Sequence, residues 1–141
     1  QQLSVKSALE VNNHLSDFTY DNLPIETAFN QTMYAINHPL DVTLTFVSID
    51  EIFQLNNQLR MNPSPTDVIS LPHEHCMGDV FICPPFITGF DNINNRIIHL
   101  FVHSLLHLAG YLHNTDEQFK KMSQLEINIL AQLKIGDPYD K

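Results

Sequence analysis

Apolar and polar positions recur along the chain with two periods. Val42-Thr43-Leu44-Thr45-Phe46 alternates with a period of two, as a half-buried strand does. Ile25, Ala28, Phe29, Thr32 and Ile36 recur at steps of three and four and predict a helix. Pro24 suits its first position, and the turn Asn37-His38-Pro39 ends it. Ile52, Leu55 and Leu59 face inward on a second predicted helix, capped by Asp50 and ending near Arg60. Beyond the two-proline loop MNPSPT, Val68-Ile69-Ser70-Leu71 reads as a short strand closed by Pro72. A polar loop over 72–78 leads through Gly78-Asp79 into a strand at Val80-Phe81-Ile82-Cys83, which Pro84-Pro85 stops. A long helix from about Asn92 to Ala109 is apolar nearly all round. Thr115 and Gln118 form a T-x-x-Q capping box. It opens a last amphipathic helix with Phe119, Met122, Leu125, Ile129 and Leu133 on one face, ended by Gly136 and Pro138. At the start, Leu3, Val5 and Leu9 suggest an edge strand.

The resulting order is β-α-β-α-β-β-α-α. The β-α-β unit favours a parallel pair joined by a right-handed crossover. The strands near 68–71 and 80–83 have no helix between them and are expected to be antiparallel neighbours. The expected fold is α/β (α+β): one domain over 1–141, a small mixed sheet of about four strands with helices packed on it, and the helix near 92–109 deepest. The 141 residues suffice for a real core.

Composition sharpens this in two ways. The formal net charge is −9, with 7 Lys and Arg against 16 Asp and Glu, which lacks the basic footprint usual for a nucleic-acid binder. Cys76 and Cys83 are the only cysteines, too few for a disulfide framework. The longest apolar run, Ile97 to Leu108, is broken by three histidines and a serine and reads as a buried helix, not a membrane span. No signal-like stretch opens the chain, so a cytoplasmic location is the default expectation.

The candidate chemistry is concentrated in His99 to His113, HLFVHSLLHLAGYLH, which holds four of the chain's 8 histidines. His103 and His107 lie four apart, on one helical face, and can grip one metal ion. Gly110 can take the left-handed conformation that ends a helix, so the chain can double back and offer His113 as a third ligand. Three protein ligands and a free position describe a catalytic zinc site better than a structural one, although three imidazoles also suit other transition metals. His99 is two turns away, about 12 Å along the axis from His107, too far to share one ion. It is read equally as an outer-layer residue lining the cleft or as a core histidine.

The spacing H-x-x-x-H-x-x-G-x-x-H matches the metzincin protease pattern, with Ser104 where the protease carries its general-base glutamate. That substitution argues against peptide hydrolysis. Leu55-Asn56-Asn57-Gln58-Leu59-Arg60, then Pro65-Thr66-Asp67-Val68-Ile69-Ser70-Leu71-Pro72, then Gly78-Asp79-Val80-Phe81-Ile82, and finally His103-Ser104-Leu105-Leu106-His107-Leu108-Ala109-Gly110-Tyr111-Leu112-His113 together resemble the successive signatures of the YbeY family. Those proteins are bacterial metal-dependent endoribonucleases of rRNA maturation. The resemblance spans about residues 40–130 in matching order.

The resemblance implies a single α/β domain with a mixed sheet. It implies one Zn2+, or another transition metal, held by His103, His107 and His113, and a catalytic role for Arg60, which otherwise reads as a surface arginine favoured at a helix C-terminus. Thr66, Asp67, Ser70 and Asp79 match family positions, with a structural role equally open. The implied partners are single-stranded RNA or an rRNA precursor and ribosome-associated proteins, with neither DNA nor membrane expected. The implied activity is a zinc-dependent, single-strand-specific endoribonuclease of small-subunit rRNA 3′-end processing and ribosome quality control. The nucleophile is a water acidified by the metal or the RNA 2′-hydroxyl. Two rival readings are a zinc metallopeptidase and a non-catalytic ribosome-assembly module. Within the metal motif, Ser104 stands in place of the family's glycine and Leu112 in place of its aspartate.

Overall fold

The computed structural model describes residues 7–89 and 92–139. Strands β1 (Ala8–Asn13), β2 (Asp41–Phe46), β3 (Val68–Pro72) and β4 (Met77–Ile82) are joined by helices α1 (Ile25–Ile36) and α2 (Ile49–Arg60), and α3 (Ile93–Leu108) and α4 (Asp116–Gln132) complete the chain of elements. The sheet order is β1-β2-β4-β3. β1 and β4 both run parallel to β2, and β3 pairs antiparallel with β4, Val68 opposite Ile82 and Pro72 opposite Gly78. This is the mixed four-stranded α/β architecture expected from the order of elements. Of the suggested first strand, Leu9 lies in β1, while Leu3 and Val5 fall outside the described residues.

Side chains alternate across the sheet and divide it into two faces. Val42, Leu44, Phe46, Val80 and Ile82 point to the face covered by α1, α3 and α4, where the main core forms with Ala28, Phe29, Ile97, Phe101, Val102, Leu105 and Leu106. The opposite parity, Ile69, Leu71 and Phe81, packs with Val47, Ile52, Leu55 and Cys83 under α2. Helix α3 buries nine of its 16 residues, which is why it reads as apolar on nearly every side. Its C-terminal end is pressed onto β4. A Cβ built at Gly78 would lie 2.7 Å from a methyl of Leu108. Glycine at 78 therefore lets the last turn of α3 seat against the sheet.

Several boundaries differ from the sequence reading for identifiable reasons. Ser48, not Asp50, caps α2: its side chain accepts from the Glu51 N–H, and the Glu51 carboxylate accepts from the Ser48 N–H, a full capping box. Asp50 instead sits in the first turn, where its charge suits the helix dipole. Leu59 is 46% exposed, because the last turn of α2 runs past the cluster it packs on. β4 begins earlier than expected, at Met77, because the turn before it is tight: His75 and Cys76 both have φ 63. Phe119 is 47% exposed and packs on Tyr139 at 5.5 Å between ring centroids. α4 ends not at Gly136 but through Lys134 at φ 64, with the Ile135 N–H donating to the Leu130 carbonyl at 2.9 Å. Thr115 and Gln118 form the expected capping box. Among the described residues no helix is long and apolar enough to cross a membrane.

Candidate metal centre

His103 and His107 stand one turn apart near the end of α3, and the reversal of the chain just beyond the helix decides where His113 goes. Ala109 is still right-handed, while Gly110 has φ 101, a conformation that side chains resist. The Gly110 N–H donates to the His107 carbonyl and the Tyr111 N–H to the Leu106 carbonyl, both at 3.0 Å, so the chain turns back at once. His113 thereby returns to the two helical histidines, with ring centroids 5.5 Å from His103 and 4.8 Å from His107. One nitrogen from each ring lies within 4.8 Å of the others.

Hydrogen bonds fix which nitrogens face inward. His107 Nδ1–H donates to the Tyr111 carbonyl at 3.1 Å. His103 Nδ1–H donates to Oε2 of Glu126. A neutral imidazole carries one N–H, so both Nε2 atoms are left as bare lone pairs. They face each other at 3.0 Å. Two lone pairs that close repel unless a cation lies between them. Two nitrogens on one tetrahedral ion with bonds of about 2.05 Å would sit about 3.3 Å apart. The donor set thus fits a single transition-metal ion of the kind bound by neutral imidazole. Burial, and then the neighbouring His103 and His113, lower the pKa of His107 and favour the neutral form that such a site needs.

Behind the histidines lies a carboxylate that the sequence patterns did not single out. Glu126 of α4 is fully buried, between Met122 and Ile129 on the apolar face of its helix. It accepts from three donors: His103 Nδ1–H, the Tyr139 hydroxyl, and His99 Nε2–H at 3.2 Å. Burial alone would push its carboxyl up, but the bonds from His103, His99 and Tyr139 outweigh it and hold the pKa at about 2. The stability these bonds give is therefore present above the ordinary value of 4.5 and is lost as pH falls towards 2. Burial and the adjacent Glu126 push the Tyr139 hydroxyl the other way, well above its usual range, so it remains a donor. His99 accepts from Arg96 Nη1 at 3.1 Å, and Arg96 Nη2 reaches Asp67 at 3.2 Å. His99 is thus an outer-layer residue and a buried one at once, within a chain of contacts running from Asp67 to His103. The available signal was a lone acidic residue on an otherwise apolar helical stripe.

The other residues expected from the sequence take their own places. Arg60 occupies the last turn of α2, the helix that packs on the face of the sheet opposite α3, and its guanidinium makes no hydrogen bond or ion pair to any described residue. The structure brings the three histidines together and does not bond Arg60 to them. Asp67 is engaged by Arg96, and Thr66 donates to Asp67 at 3.4 Å. Asp79 accepts from His73 at 2.7 Å across the β3–β4 hairpin. Ser104 is buried at 1% exposure and Leu112 is 48% exposed. His14 pairs with Glu51 at 2.8 Å, and His38 lies 3.1 Å from the Pro39 carbonyl. Both cysteines are free.

Comparison with known proteins agrees with this arrangement. The family model "Endoribonuclease YbeY" matches residues 10–134. A protein named Endoribonuclease YbeY from Francisella tularensis subsp. holarctica (strain FTNF002-00 / FTA) is 38% identical over 115 residues, covering 70% of this chain and 71% of the relative. Its counterpart from Francisella tularensis subsp. novicida (strain U112) is 37% identical over the same length. The solution structure of TM1509 from Thermotoga maritima superposes with a TM-score of 0.58 at 25% identity, over 94% of this chain and 99% of that one. With the family model running from within β1 past the end of α4, and the histidine turn inside it, the chain belongs to the YbeY endoribonuclease family.

Proposed function

We propose that this protein is a metal-dependent, single-strand-specific endoribonuclease acting on rRNA precursors in the cytoplasm, with His103, His107 and His113 as its metal ligands. The observation that carries the reading is the pair of bare Nε2 atoms at 3.0 Å, with the third imidazole beside them. A bound zinc-type ion would supply Lewis acidity, offsetting the charge that develops on a scissile phosphate and lowering the pKa of water. The chain's own residues do the rest. His103 and His107 are oriented by Glu126 and the Tyr111 carbonyl, which take their Nδ1–H groups and leave Nε2 turned inward. Arg60, exposed and tied to no carboxylate, is the guanidinium available to a phosphate, whose geometry its planar fork matches. With a net charge of −9, affinity for RNA rests on such local contacts more than on a basic field.

The test is cleavage of an unstructured RNA by the purified protein as isolated, after chelation, and after metal is restored, with an unstructured peptide alongside. RNA should be cut, chelation should stop it, and restoration should recover it. Cleavage of the peptide with the RNA left intact would give the metallopeptidase reading instead. No cleavage of either with any metal would leave an assembly module. Arg60→Ala should keep its metal and melting temperature and cut RNA more slowly by on the order of 100-fold. An unchanged rate removes Arg60 from the chemistry.

Metal retention should track the imidazoles. Ligation needs them neutral, so equilibrium dialysis from pH 8 downward should show zinc lost below roughly pH 6. Glu126, ionised until far lower pH, should leave no step of its own in that range. Retention down to pH 4 would contradict an all-histidine ligand set.

A further inference from the structure

We propose that Glu126 is the positioning residue of the metal centre. It holds His103 with Nε2 turned to the ion, and Tyr139 holds Glu126, so that the C-terminal segment through Tyr139 belongs to the site. The inference rests on reading the three histidines as the metal ligands.

Packing does not call for a carboxylate at this position. Glu126 lies among Met122, Ile129 and Leu130, and an apolar side chain of similar length would fill the space. Burying an ion is costly unless it is paired and hydrogen-bonded, so its partners must account for it. What methionine cannot supply is direction. The carboxylate takes the Nδ1 proton of His103, which fixes both the tautomer and the ring plane. His107 receives the same service from a backbone carbonyl, which is already rigid. A side-chain carboxylate must itself be held, and Glu126 is held twice. His99 donates to Oε1 from the same helix as His103. The Tyr139 hydroxyl donates to Oε1 from beyond the end of α4, its ring packed edge-on against His99 with centroids 5.7 Å apart.

His99, His103 and Glu126 also bring ligand atoms within 4.8 Å of one another, as a second metal set would. His103 cannot serve both sets as a neutral ring. It has one lone pair and one N–H, and Nε2 already faces His107. The proton on Nδ1 makes Glu126 a hydrogen-bond partner and not a co-ligand.

The test measures zinc affinity by chelator competition, together with the melting temperature of the metal-free protein. Glu126→Met, which leaves three donors without their acceptor, should melt below the parent and bind zinc about 10–100-fold more weakly. Glu126→Gln, whose amide oxygen can still accept from His103, should recover part of that loss. Tyr139→Phe should weaken zinc in the same direction by less. On a His103→Ala background, Glu126→Met should cause no further loss. A purely structural role also lowers the melting temperature, but leaves zinc affinity within about two-fold of the parent or reduces it equally on both backgrounds. Either result overturns the proposal. Should Glu126→Met fail to fold, Glu126→Gln decides, and parental zinc affinity there overturns it. His107→Ala, which does not touch Glu126, separates the two readings. If it leaves zinc affinity intact, the three-histidine site itself is wrong. If it loses zinc while Glu126→Met does not, only the role of Glu126 fails.

Discussion

His107→Ala should leave a folded protein that has lost its metal and, with it, about 1,000-fold or more of any RNA cleavage. The expectation comes from geometry. His107 supplies one of the two inward lone pairs, and its ring centroid lies 4.5 Å from that of His103 and 4.8 Å from that of His113. Two remaining imidazoles make a weak, mobile site. The fold should survive, because α3 is anchored by Ile97, Phe101, Val102, Leu105 and Leu106, all buried, whereas His107 lies at the partly exposed edge of the helix. Elemental analysis of protein purified without chelator, with cleavage assayed on the same sample, checks both halves. Near-stoichiometric metal in the variant would show that the ion sits elsewhere. Metal loss with cleavage intact would remove the ion from the reaction.

The largest expected effect on stability is that of Phe46→Ala. Phe46 closes β2, the strand that β1 and β4 both flank, and is fully buried in the main core. Two rings from the β1–α1 connection lie on it, Phe18 at 4.9 Å and Tyr20 at 5.6 Å between centroids. Truncation leaves a cavity costing about 3–5 kcal/mol, and each lost ring pair adds about 0.5–1.5 kcal/mol. Against a total of about 5–15 kcal/mol for a domain, this is a large fraction. Thermal unfolding of the metal-free protein should show a midpoint about 10–20 °C lower. A shift of only a few degrees would mean that the connection over 14–24 collapses into the space, so that it is less firmly packed than the ring contacts imply.

The elements themselves were legible in the sequence because their signals are local. The alternation in β2 and the capping box at Thr115 each act over one or two turns and stand where expected, while Pro24 is the N-cap of α1, one residue before the first helical position. The cap of α2 was misplaced by two residues because Ser48 and Asp50 are both good caps. The decision lies three residues on, where Glu51 completes a box with Ser48 and not with Asp50. Leu59 and Phe119 fit helical periodicity yet stay exposed, since periodicity gives the face of a residue but not how far the neighbouring layer extends. The same limit governs the centre. His103, His107 and His113 lie within one turn and one reversal, so spacing alone brought them together. Glu126 and Tyr139 reach them by tertiary packing, and no spacing rule connects position 103 with 126 or 139. Arg60 is the converse case. Sequence resemblance singles it out, while its place on α2 offers an available guanidinium and no bond to the histidines.

The division between a local ligand set and a remote carboxylate bears on shortened forms of the chain. A product ending anywhere between His113 and Glu126 carries every residue of the H-x-x-x-H-x-x-G-x-x-H pattern and would be scored as intact by its motif. It would lack the full α4 and the acceptor for His103, and would retain the donors without the aim. One ending just before Tyr139 keeps the helix and the carboxylate but drops one of the donors that steady it. In this fold a complete motif and a complete centre are different things, and they part company at the C-terminus.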